Sequence, residues 1–164
     1  MSMILYLRRA SDEDIARIES DPESTAAFFF AETAHADGDL IDFDKAWQAV
    51  HFTLSGSEYE SESPLGAMLS QGRTIGIDLG YGQPWIITSD RMRAFSEALS
   101  AMTDDDIRQR YDPAAMVTND VYIADAFADE PEEGLHYLMQ GIPALRRFAN
   151  KCAETGSCAL VAIS

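Results

Sequence analysis

Residues 158–163 read CALVAI, an uncharged apolar run near one end of a 164-residue chain. Residues 3–7, MILYL, form a similar run near the other end. Short runs that are apolar at both odd and even positions suit central strands covered by helices on each face. Both ends of the chain are therefore expected in one sheet, where they can lie side by side. Between them the 3.6-residue helical period dominates. The order is strand, helices, strands, helices, strand. It predicts one α+β domain over residues 1–164, a mixed sheet that includes the N- and C-terminal strands and is packed by amphipathic helices. At this length roughly 68–70% of the unfolded surface is buried on folding, so no disulfide or metal staple is required.

Helix signals fill the middle. Ser11-Asp-Glu-Asp14 has capping-box spacing and leads into Ile15 and Ile18. Asp21-Pro22 pairs a cap with proline at a first helical position, ahead of Phe28–Phe30. The polar, glycine-containing stretch 31–39 reads as a loop. In residues 42–56, DFDKAWQAVHFTLSG, the side chains of Phe43, Ala46, Trp47, Val50, His51 and Leu54 form one apolar stripe, and Gly56 stands where a left-handed C-cap belongs. Residues 55–63, SGSEYESES, carry charge without an apolar period and read as a loop. Pro64–Leu69 suits one short helical turn, and Thr74–Ile77 and Trp85–Ile87 read as two further strands. Thr88 or Ser89, Thr103 and Asp112-Pro113 each open another helix. Leu135 to Cys152 is helical in period, but Pro143 removes a backbone donor and crowds the carbonyl of Met139. A kink or a split is expected near Gly141.

The chain has 12 Lys and Arg against 28 Asp and Glu, a net charge of −16. A field of that sign repels nucleic-acid phosphates and anionic headgroups, and attracts a basic protein or a cationic ligand. Nucleic-acid and membrane partners are therefore not expected. No apolar run approaches the ~18 residues of a membrane span. Arg8 and Arg9 follow the first apolar run, the reverse of a secretory signal. Cys152 and Cys158 lack a CxxC spacing and read as reduced thiols. A cytoplasmic setting is the expectation.

An opening M-x-M-I-x-Y (Met1, Met3, Ile4, Tyr6) precedes Leu40-Ile-Asp-Phe-Asp-Lys-Ala-Trp47, His51-Phe52 and Leu54-Ser-Gly56. Pro64-Leu65, the segment from Gly76 to Gly82 and the terminal apolar strand follow. This order, spread over nearly the whole chain, resembles the YfbM-like family, small bacterial proteins grouped as a domain of unknown function. The resemblance implies a single α+β domain of cytoplasmic bacterial type. It carries over no activity and no site residue.

The residues themselves offer little catalytic pattern. His35, His51 and His136 share no metal-ligand spacing, so no metal and no cofactor is expected. There is no GxSxG elbow or SxxK pair, and neither cysteine has a histidine partner in sequence. Gly76-Ile-Asp-Leu-Gly80-Tyr-Gly82 lacks a phosphate-loop order and suits a turn whose glycines take positive φ. Tyr81, Pro84 and Trp85 could form an aromatic lip beside it.

Asp44, Trp47 and His51 remain. Asp44 and His51 project within about 20° of each other on a helix, with Trp47 between them. Their ~10 Å of rise is too long for a direct bond. His51 reads first as a core histidine donating one ring proton to a backbone carbonyl, and second as a pocket residue.

Two functions are open at this stage. The first, without enzymatic activity, is an acidic protein-interaction module, inhibitor- or immunity-like, that docks a basic partner. The alternative is a small-molecule-binding protein or enzyme with a pocket formed by Asp44, Trp47, His51, Tyr81 and Trp85.

Overall fold

A computed structural model describes residues 2–70 and 72–164; Met1, part of the opening motif, lies outside the described residues. The chain runs through β1 (Leu5–Ala10), α1 (Asp12–Ser20), α2 (Thr25–Phe29), α3 (Glu32–Ala36) and β2 (Leu40–Asp42). A turn of 3-10 helix, Asp44–Ala46, leads into α4 (Trp47–Ser55). The 3-10 segment Pro64–Leu69 precedes β3 (Trp85–Ile87). Helices α5 (Ser89–Ser100), α6 (Asp104–Arg110), α7 (Pro113–Thr118), α8 (Ala124–Asp129), α9 (Pro131–Met139) and α10 (Ile142–Thr155) then lead to β4 (Cys158–Ile163).

The four strands lie in the order β2-β1-β4-β3. The two terminal strands form the central pair, with Leu5 opposite Ile163 and Ala10 opposite Cys158. Beyond the ladder, Ile4 N–H donates to the Ser164 carbonyl at 2.9 Å and Ser164 N–H to the Ile4 carbonyl at 3.0 Å. The expectation of a mixed sheet is corrected here, because all three pairings are antiparallel. Each connection leaves and re-enters the sheet at the same end. The excursion through α1–α3, for example, leaves after Ala10 and returns with Leu40 opposite Arg8. A parallel neighbour would need a crossover to the opposite end.

Alternation along the strands feeds two cores. Leu5, Leu7, Ile87, Ala159 and Val161 pack with α4 through α10, while Ala10, Ile86, Leu160 and Ala162 pack with Ile15, Ile18 and Phe29 on the other face. Leu160 and Val161 are both fully buried, which is why residues 158–163 read as unbroken apolar sequence. Burying a side chain of this kind contributes about 1.5–3 kcal/mol.

The capping chemistry acts as its residues suggest. Ser11 and Asp14 close a capping box on α1, and Thr103 and Asp106 close another on α6. Gly56 and Gly156 end α4 and α10 in the left-handed conformation. The helical stretch around Pro143 is split into α9 and α10, with the proline in the first turn of the second helix. Arg146 reaches from α10 to the carbonyls of Leu99 (2.7 Å) and Met102 (2.8 Å), covering the open end of α5.

Three local readings change. Residues 31–39 hold the short helix α3, and Leu40–Asp42 is a strand too brief to show a period of its own. Thr74–Ile77 is not a strand. It makes one isolated bridge, Thr74 to Trp85, and Gly76 then turns the chain away at φ +74. The Thr25 side chain sits where a Cβ at that glycine would stand, so the turn is enforced by packing as well as by φ. No helix among the described residues is long and apolar enough to cross a membrane.

Candidate functional site

Helix α4 is buried almost all round, and Gln48, His51 and Ser55 line one side of it at i, i+3 and i+7. That polar side faces the segment that follows the helix. Gln48 Nε2 donates to the Glu58 carbonyl at 2.8 Å, and its Oε1 accepts from Tyr122 N–H at 2.8 Å. His51 Nε2 lies 2.5 Å from the Tyr59 carbonyl, which can only accept, so this nitrogen carries the proton. Ser55 Oγ donates to the His51 carbonyl at 2.8 Å and accepts from Ser57 N–H at 3.2 Å. The loop 56–63 is thus held at consecutive carbonyls, 58 and 59, by two buried side chains of one helix.

His51 is fully buried, and its Nδ1 has no hydrogen-bond partner. Burial pushes its pKa down from the ordinary value, partly offset by the Tyr59 carbonyl and the charge of Glu58. A neutral imidazole donating a single hydrogen bond is a strut, and it does not open onto solvent.

What the strut positions is Tyr59, which is 62% exposed. Its ring forms one side of a groove of about 380 Å³ whose other walls include Trp47, Leu69, Thr74, Trp85 and Ile163. Trp85 and Ile163 meet here because both project from the same sheet face, Trp85 standing opposite Val161 on β4. The Trp47 indole N–H donates to the Met3 carbonyl at 3.0 Å and its ring lies 6.0 Å from that of Tyr122. The Trp85 indole nitrogen is buried without a partner. The two tryptophans of the chain therefore share one groove.

Of the five residues singled out in the sequence, Trp47 and Trp85 are brought together, and His51 stands behind the groove wall through Tyr59. Asp44 is elsewhere. It precedes α4 at φ +48, its N–H donates to Asp42 Oδ1 at 2.9 Å, and its carboxylate accepts from Tyr137 Oη at 2.5 Å. Tyr137 also accepts from Lys45 N–H at 3.1 Å. Burial, and after it the bond to Asp44, pushes the Tyr137 phenol up to about 12. Tyr81 is 42% exposed beside the end of β4, where its N–H donates to the Ile163 carbonyl at 3.2 Å, but it does not line the groove. Sequence reasoning passed over Tyr59, Gln48 and Leu69. Tyr59 carries a readable signal, a lone aromatic in a loop otherwise made of Ser, Gly and Glu.

The electrostatics outside the groove are one-sided. Arg9 and Lys151 both reach Asp39 at 2.7 Å. Burial opposes ionisation of Asp39, but the bonds from Arg9 and Lys151 hold its carboxyl below the usual range. Arg17, Arg73, Arg93, Arg108 and Arg146 pair with nearby carboxylates. Arg8 lies 4.0 Å over the Phe28 ring and Arg110 donates to the Leu54 carbonyl at 2.8 Å. Among the described residues only Lys45, Arg91 and Arg147 have no such side-chain partner. Glu58, Glu60 and Glu62 alternate along the groove-side loop, and Asp129, Glu130, Glu132 and Glu133 cluster at the start of α9. The bond to Glu133, and its charge, raise the Glu130 carboxyl.

No group of three or more His, Cys, Asp or Glu side chains that could hold a metal occurs among the described residues. Burial pushes the Cys152 thiol up to about 12 and raises Cys158 as well, so neither is a ready thiolate.

A family model described as a domain of unknown function (DUF1877) matches residues 1–162. The fold is similar to the crystal structure of YfbM from Escherichia coli, a protein of unknown function. The TM-score is 0.70 at 15% identity, over 98% of this chain and 99% of that one. No curated protein matches.

Proposed function

This chain belongs to the DUF1877, YfbM-like family, and from that premise we propose that it is an acidic protein-interaction module, of the inhibitor or immunity type, that docks a basic partner. The observation that carries the reading is the disposition of its cations. A net charge of −16 arises with most arginines and lysines already engaged by carboxylates, carbonyls or a ring of the same chain, several of them in exposed surface pairs. Most of the acidic residues stay outside these ion pairs. Such a field steers a cationic surface into encounter and raises the association rate more than the final affinity. The buried, reduced cysteines support a cytoplasmic setting.

The test is kinetic. A partner captured by the immobilised protein at low salt is purified, and its association rate is measured as ionic strength rises. The screening length falls from about 30 Å at 0.01 M to about 8 Å at 0.15 M, so the rate should drop steeply over that range while dissociation changes little. An association rate indifferent to salt refutes the reading.

A second reading, small-molecule binding, is favoured by the size of the groove at Trp47 and Trp85, which falls within the range of ligand pockets at about 380 Å³. It draws nothing from His51 or Asp44, since neither faces that space.

A further inference from the structure

Among the described residues, Tyr59 is the most exposed of the large apolar side chains. Its backbone is nonetheless held from below, because the buried side chains of Gln48 and His51 bond carbonyls 58 and 59. A folded chain gains nothing internally by fixing a large ring at 62% exposure over an apolar groove. The gain comes when something covers it.

The surroundings specify what. Glu58 and Glu60 flank Tyr59 in sequence, and Glu60 and Glu62 line a second cavity of about 300 Å³. Ser70 borders both spaces, so the apolar groove and the acidic cavity adjoin at that residue. Arg91 is the single cation at the second cavity, against two carboxylates. An apolar slot that passes within one residue into an anionic slot complements an apolar side chain followed by a cationic one.

We infer that the groove between Trp47, Tyr59 and Trp85 is the docking point of the basic partner. It takes a large aliphatic or aromatic side chain of a segment whose adjacent Lys or Arg meets Glu60 and Glu62. This rests on the acidic-module reading above and adds to it a location and a partner chemistry. Tyr59 acts as an anchor of the kind that dominates protein interfaces, a ring with little entropy left to lose. His51 and Gln48 are positioning residues that act through it.

The chain's two tryptophans both line the groove, so intrinsic tryptophan emission reports on this site directly. The probe is a short synthetic peptide alternating leucine and lysine, which carries no aromatic residue. Saturable emission change is expected, weaker by about tenfold or more, equivalent to about 1.4 kcal/mol, for peptides alternating serine with lysine or leucine with glutamate. Tyr59→Ser and Thr74→Phe, at two exposed positions, should each weaken the leucine–lysine peptide by a similar factor with the melting transition retained. Glu60→Lys with Glu62→Lys should do the same and flatten the salt dependence.

Equal binding of the serine–lysine peptide, or binding untouched by Tyr59→Ser and Thr74→Phe, overturns the groove while leaving the acidic module standing. Equal binding of an uncharged leucine–serine peptide overturns it in favour of a neutral ligand. Emission that changes with protein concentration alone overturns it in favour of a second copy of the chain. Salt-indifferent capture of the purified partner removes the underlying reading instead, whatever the peptides do.

Discussion

Replacing His51 by leucine tests the strut. At neutral pH the variant loses the bond from Nε2 to the Tyr59 carbonyl, a net contribution of about 1 kcal/mol, and leaves that carbonyl short of a partner. It also removes Nδ1, a buried nitrogen that no group satisfies in the native protein. These effects oppose each other, so the variant should be less stable by only about 1–2 kcal/mol. The diagnostic quantity is how that difference changes with pH. The folded-state pKa of His51 is depressed by burial, so the unfolded chain takes up a proton that the folded chain refuses. The imidazole's contribution is therefore fully present above about 6.5 and is lost as pH falls below that value towards the depressed folded pKa. Below 6.5 the native protein therefore loses stability that the leucine variant keeps, so the two stabilities converge as the pH falls. Urea unfolding followed by tryptophan emission, from neutral pH to about 5, measures both curves. Two stability curves that stay parallel over the whole range would refute the argument.

Gln48→Leu strands two backbone groups, the Glu58 carbonyl and Tyr122 N–H, and should cost about 2–4 kcal/mol in urea titration. Gln48→Glu keeps the acceptor for Tyr122 but sets a buried carboxylate oxygen against the Glu58 carbonyl, so at neutral pH it should cost at least as much. In a spectroscopic titration of the tyrosines, one phenol, Tyr137, should ionise only near about 12, and Asp44→Asn should bring it down by removing the carboxylate it faces. Gly76→Ala adds a Cβ against Thr25 at a left-handed backbone position and should lower stability by about 2–4 kcal/mol, measured as a shift in the urea midpoint.

The parts of the fold that were legible are those in which local chemistry and global packing agree. CALVAI announces a strand buried on both faces because Leu160 and Val161 serve different cores. Ser11, Thr103, Gly56 and Pro143 mark helix ends through backbone hydrogen bonds that any fold must satisfy. Strand direction was not legible. It depends on which end of the sheet each helical excursion returns to, and no residue spacing records that. Leu40–Asp42 was missed because three residues carry no period, and Thr74–Ile77 was misread because the side chain that forbids its continuation, Thr25, lies some fifty positions away. In the groove, Trp47 and Trp85 drew notice as large aromatics. Tyr59 stood out only as the lone aromatic of its loop; the two buried donors of α4 that fix it target backbone carbonyls, which leave no trace in the identity of the loop residues.

The central strand pair has a consequence for how the molecule is made. Residues 5–10 leave the ribosome well before their inner partner, residues 158–163. In the meantime β1 has only the three-residue β2 to pair with, and the helices after α4 lack the sheet face they cover. Such a topology defers cooperative closure of the sheet until residues 158–163 have been made, and a pairing so distant in sequence slows folding relative to local helical contacts. A stalled or truncated nascent chain would present an unsatisfied strand edge to its neighbours, and β1, with Arg8 and Arg9 in its second half, is protected against that hazard by charge.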